Sequence, residues 1–123
     1  MRTITKTVSL PLTLSDQETP MDFRLTKLDA FSGAWLLKLL SRSATDDLQA
    51  LILGLPEEDM ERLMRTCLRS ASALLPAGPI RVLEGDNWGI PDLEYDAWTC
   101  LKLTIEVVQW TLEGFFHESG SVS

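Results

Sequence analysis

The chain has 123 residues, a formal net charge of −7 and an apolar content of 45%. A chain of that length buries about two-thirds of its unfolded surface, so a core forms without metal or disulfide staples and one domain over residues 1–123 is expected. Acidic charge spread along the sequence opposes nonspecific contact with nucleic acid or membrane, and no apolar run nears the ~20 residues of a membrane-spanning helix. Residues 1–9 lack the continuous apolar segment of a secretory signal, so a cytoplasmic location is expected. The pattern along the chain predicts an α+β, mainly α-helical fold. It has four helices, a small N-terminal β-hairpin and a short third strand.

Residues 3–14 place Ile4, Val8, Leu10, Leu12 and Leu14 at even positions, mostly with Thr and Ser between them. That is the period of a half-buried strand. Pro11 has no N–H for a ladder, which puts the strand at a sheet edge or marks a break. Residues 15–20 read as a polar turn. Phe23 and Leu25 then resume the alternation, so residues 21–26 pair with the first strand in a hairpin region spanning 1–28.

Residues 29–75 are expected to hold three helices. Asp29 or Ser32 can cap the first, over residues 30–41, where a short acceptor side chain satisfies a free backbone N–H. Phe31, Ala34, Trp35, Leu36, Leu37, Leu39 and Leu40 cover nearly its whole circumference, and Lys38 is its only internal charge. Such a helix is either central to its domain or presents a face to another chain. Thr45 and Asp46 introduce a short helix over 47–53, ended by Gly54. Leu55-Pro56-Glu57-Glu58 opens a third, with acids at the positive end of the dipole. Its apolar positions, Met60, Leu63, Met64, Cys67, Leu68, Ala71, Leu74 and Leu75, recur at three and four, which carries it to residue 75. Arg62, Arg65 and Arg69 form a ridge on it, read as a solvated face or a contact for an acidic partner.

Pro76-Ala77-Gly78-Pro79 stops that helix, and residues 80–83 read as a short strand that can join the hairpin. Residues 84–95 form an acidic, aromatic loop. Asp96 caps a last helix over 96–116, ahead of a frayed tail at 117–123. In that helix Trp98, Leu101, Ile105, Val108, Leu112 and Phe115 make one seam, while Cys100, Leu103, Val107 and Trp110 fall on a second face. The second face meets the sheet or the first helix, or else a neighbouring subunit.

Nothing in the sequence supports catalysis. The single histidine, His117, has no Cys or second His near it in sequence, so neither a zinc site nor a nucleophilic triad is supported. Cys67 and Cys100 lie in helical patterns and read as small buried hydrophobes. The acidic stretch 84–96 misses the ligand spacing of a calcium loop, and Pro91 intrudes. No phosphate-cradling or dinucleotide-binding glycine pattern occurs. No cofactor and no metal are expected.

Phe23-Arg24-Leu25-Thr26-Lys27-Leu28-Asp29-Ala30-Phe31, then Trp88-Gly89-Ile90-Pro91-Asp92-Leu93-Glu94-Tyr95-Asp96, then Leu112-Glu113-Gly114-Phe115-Phe116, resemble the small tail assembly chaperones of tailed bacteriophages and prophages. The likeness spans residues 21–118. It implies a cytoplasmic assembly factor, absent from the finished virion, that coats the tape measure protein, recruits tail tube protein and forms a homo-oligomer. Neither nucleic acid nor membrane is an implied partner. Trp35, Leu36, Leu40, Leu103, Val107 and Trp110 are the candidate partner or subunit interface. Two other classes fit a small acidic chain: a structural tail or head-completion protein, and an acidic inhibitor of a host nucleic-acid enzyme. The inhibitor requires a continuous acidic face, which the arginines of the third helix interrupt.

Overall fold

The computed structural model describes residues 4–11, 20–42 and 47–120, with side chains as far as Glu113. The predicted turn at 15–19, the strand positions Leu12 and Leu14, the helix start at Thr45 and Asp46, and residues 121–123 lie outside the described residues. Strands β1 (Thr5–Pro11) and β2 (Pro20–Thr26) form an antiparallel hairpin with Val8 opposite Phe23 and Leu10 opposite Met21. Helices α1 (Ala30–Ser41), α2 (Leu48–Leu53) and α3 (Glu57–Arg69) follow. Strands β3 (Ala71–Leu75) and β4 (Gly78–Arg81) then extend the hairpin into a four-stranded antiparallel sheet of order β1-β2-β3-β4. A second, two-stranded ribbon joins β5 (Leu83–Glu84) to β6 (Asn87–Trp88), and a 3₁₀ turn (Pro91–Tyr95) leads into helix α4 (Ala97–Gly120).

The expectation of a mainly helical fold is therefore corrected: sheet and helices share the architecture. The error sits at residues 70–75. Alanine and leucine favour helix locally, and their spacing suited one. Ser70 instead ends α3, its hydroxyl donating to the Thr66 carbonyl and its own carbonyl accepting from Thr26 N–H at 2.9 Å. The chain then pairs Ala71 with Leu25 and Ala73 with Phe23. Both alanines are fully buried on the face that β2 turns inward, where small side chains let the helices approach. Pairing and burial override propensity here. The short strand expected at 80–83 is β4, displaced to Gly78–Arg81, and it joins the hairpin only through β3.

The sheet is amphipathic. Val8, Phe23 and Ala73 lie in one cross-strand row on the covered face, while Thr7, Arg24, Ser72 and Arg81 line the other. Antiparallel sheets tolerate one wet face. Helix α4 packs on β1 and β2 and against α3, which closes the core around Phe23, Leu25, Leu63, Cys67, Leu103 and Val107. Pro11 sits in β1 at the sheet edge, where its missing N–H costs no ladder bond. Asp29 and Asp96 cap as the sequence indicates, accepting from Ser32 N–H at 2.8 Å and Thr99 N–H at 3.1 Å, whereas the short helix expected over 47–53 has Asp47 as its cap, accepting from Gln49 N–H at 3.0 Å.

Candidate functional site, a methionine-lined groove

Helix α3, the β5–β6 ribbon and the start of α4 enclose an open groove of about 300 Å³. Met60, Met64 and Leu68 supply one wall at helical spacing, Leu83 and Trp88 a second, and Ala97 and Cys100 the third. Leu68, Leu83 and Cys100 are buried floor, whereas Met60, Met64 and Trp88 are half-buried and reachable. Unbranched, polarizable methionines let such a wall adapt to differing apolar shapes. The rim is acidic. Glu57, Glu61 and Glu94 are exposed around it, and Arg65 is its one cation.

The ribbon that walls the groove is held by the arginine ridge of α3. Arg65 donates to Asp86 at 3.1 Å and lies 3.6 Å from Glu61, and Arg69 donates to the Gly85 carbonyl at 3.1 Å and 3.2 Å. Gly85 takes φ 63° in the two-residue turn, a conformation glycine adopts without steric cost. Gly89 passes so close to β4 that a Cβ there would fall on the Arg81 carbonyl oxygen. Arg62, the third member of the ridge, stacks on Trp35 with 4.1 Å to the ring centroid, tying α3 to α1. The ridge is thus an internal clamp, which neither sequence reading had assigned.

The residues singled out from sequence do not form one surface. Leu36, Leu103 and Val107 are fully enclosed by the chain itself. Trp35 and Leu40 are half-buried beside the core on α1, and Trp110 is half-buried on α4. Trp110 is also anchored: its Nε1 donates to the Ile4 carbonyl at 3.1 Å, with Lys27 4.4 Å from its ring centroid. On the second face of α4, Cys100 lies in the groove floor and Leu103 and Val107 are enclosed by the chain, while Leu28 N–H donates to the Thr111 hydroxyl at 3.1 Å. The groove residues Met60, Met64 and Trp88 were missed as a site. Their signal was available only in part, as two methionines one turn apart on a helix rich in acids.

Cys67 is buried, and burial pushes its thiol from an ordinary 9.0 up to about 12. Burial and the adjacent Asp96 charge raise Cys100 to about 11, and its Sγ lies 3.3 Å from the Leu93 carbonyl. Neither is an activated nucleophile. Among the described residues no group of three or more His, Cys, Asp and Glu side chains is placed to hold a metal ion. The His117 side chain lies outside the described residues. No helix among them is long and apolar enough to cross a membrane.

Residues 38–123 match the family model of the phage tail assembly chaperone protein, TAC. No curated protein and no solved structure matches the chain. The match covers well over half of the sequence, and the chain belongs to that family.

Proposed function

We propose that this phage tail assembly chaperone binds helical segments of the tape measure protein, keeps them soluble and helps to recruit tail tube subunits, working as an oligomer in the host cytoplasm. It leaves before the tail is complete and performs no catalysis. The family match over residues 38–123 carries this reading. Two physical features support it. The chain keeps a reachable apolar groove, suited to the apolar stripe of an amphipathic helix. Its net charge of −7 maintains solubility while apolar surface is exposed.

Co-expression with the tape measure protein of the same phage or prophage provides the test. The expected result is a soluble complex that co-purifies, with the tape measure protein aggregating when expressed alone. Mass spectrometry of purified tails should find the chaperone absent. Stoichiometric copies in mature particles would assign it instead to tail structure, and a tape measure protein equally soluble without it would remove the chaperone role.

A further inference from the structure

We propose that the groove between α3, the β5–β6 ribbon and α4 recognises a helix bearing an apolar anchor pair flanked by Lys or Arg, on the partner protein. This rests on the chaperone reading above and deepens it by naming the site and the chemistry it selects. The shape argues for an anchor rather than an enclosed ligand. At about 300 Å³ and open to solvent, the groove has room for side chains that a helix presents at i and i+4. Met60 and Met64 stand one turn apart on α3 and can interdigitate with such a pair, with Trp88 facing them across the groove.

Charge selects the flanks. Arg65 is already engaged by Glu61 and Asp86. Glu57 and Glu94 carry no ion pair among the described residues. The rim therefore offers carboxylates from α3 and from the 3₁₀ turn beside an apolar floor, and a basic flank completes them. A second copy of this chain fits less well. Among the described residues its most exposed large apolar side chain, Phe31 at 89%, stands beside the acidic Asp29, so an acid would meet the acidic rim. Like-charge juxtaposition selects against that pairing.

The probes are two synthetic amphipathic helices with the same Leu anchors, one flanked by Lys and Arg and its twin by Glu. Fluorotryptophan labelling gives each of Trp35, Trp88, Trp98 and Trp110 its own resonance, assigned by Trp→Phe variants. The basic helix is expected to shift Trp88 and to bind about tenfold more tightly than its twin, and raised salt should erase the difference. Glu57→Lys with Glu94→Lys should invert the preference. Glu58→Lys with Asp92→Lys, which makes the same charge change away from the groove lining, should leave the preference in place. Met64→Arg should abolish binding. If Met64→Arg does not fold, the Glu57 and Glu94 pair, whose side chains are exposed, carries the test.

Equal binding of the twins, a shift confined to the other tryptophans, or a Trp88 shift that follows the concentration of the chain alone would each overturn the proposal. The last of these would assign the groove to a second copy. If the Glu57 and Glu94 variant retains the tape measure protein as well as wild type does, the groove assignment fails and the chaperone role stands. If the basic helix binds as described and the tape measure protein is never retained, the chaperone role fails and the groove assignment stands.

Discussion

Phe23 and Phe31 are eight positions apart and carry equal hydrophobic weight in the sequence, yet the structure predicts opposite outcomes for their replacement. Phe23 is fully buried in a central strand, between Val8 on β1 and Ala73 on β3. A phenylalanine buries ~150–250 Å², which at ~25 cal/mol per Å² corresponds to ~4–6 kcal/mol before subtracting what an alanine methyl retains. Ala73 is too small to collapse into the space, so Phe23→Ala should cost ~3–5 kcal/mol, much of the ~5–15 kcal/mol that stabilises a typical domain. Phe31 is 89% exposed in the first turn of α1, and Phe31→Ala should change stability by less than ~0.5 kcal/mol in dilute solution. Alanine's better helix propensity offsets part of any loss. Urea unfolding followed by circular dichroism reads both, at two protein concentrations. A Phe31→Ala cost that grows with concentration would mean that α1 buries this ring in an oligomer. A cost above ~1.5 kcal/mol at every concentration would place the ring against the chain's own core and refute the assigned orientation of α1.

Val107→Glu places a carboxylate in the sealed core and should abolish soluble folded protein; a folded, smaller species by light scattering would instead put this face of α4 at a subunit boundary. Gly89→Ala forces β6 away from the Arg81 carbonyl and should lower stability by about 2 kcal/mol, measurable as a fall in the urea midpoint, with an unchanged midpoint counting against the close approach. The thiols predict loss of stability in alkali. Their folded values are raised, so the stabilisation is complete below the unfolded value of 9.0 and is lost as pH rises through about 11 for Cys100 and about 12 for Cys67. Cys67→Ala with Cys100→Ala should flatten that part of the pH–stability curve, and rapid alkylation of the native protein at pH 8 would contradict the burial of both.

Capping was the most legible layer, because an Asx side chain and the N–H groups it satisfies are neighbours in sequence. Asp29 and Asp96 could each be named from one window of residues, while the cap of α2, Asp47, falls one position inside the helix expected there. The hairpin was legible for a similar reason, since its alternation is local and β1 and β2 are consecutive. Strand β3 was not. Its identity as a strand depends on Phe23 and Leu25, nearly fifty residues earlier, and an Ala-Ser-Ala-Leu-Leu segment carries a helical preference of its own. The groove was hidden for the same reason: Met64, Trp88 and Cys100 come from three elements, and only the folded chain gives them a common boundary.

The apolar excess of α1 and α4 has a different origin from the one their helical patterns suggest. A helix with two apolar faces needs two partners, and sequence alone leaves open whether both lie in one chain. In α4 they do: it packs on the β1–β2 hairpin and against α3, and β3 and β4 continue the sheet beyond the hairpin. Leu103 and Val107 are buried within the chain, while α1 retains Phe31 outside. The arginine ridge completes the arrangement. With Arg65 engaged by Glu61 and Asp86, it holds the ribbon in place as a wall and leaves Glu57 and Glu94 without an ion pair among the described residues. Neutralising that clamp with Arg65→Gln should therefore loosen the ribbon and weaken the basic helix, although it removes the only cation on the rim. Pure rim electrostatics demands the opposite, tighter binding. A Trp88 resonance that broadens as affinity falls is the expected result; a sharp resonance with increased affinity would show that charge alone governs the groove.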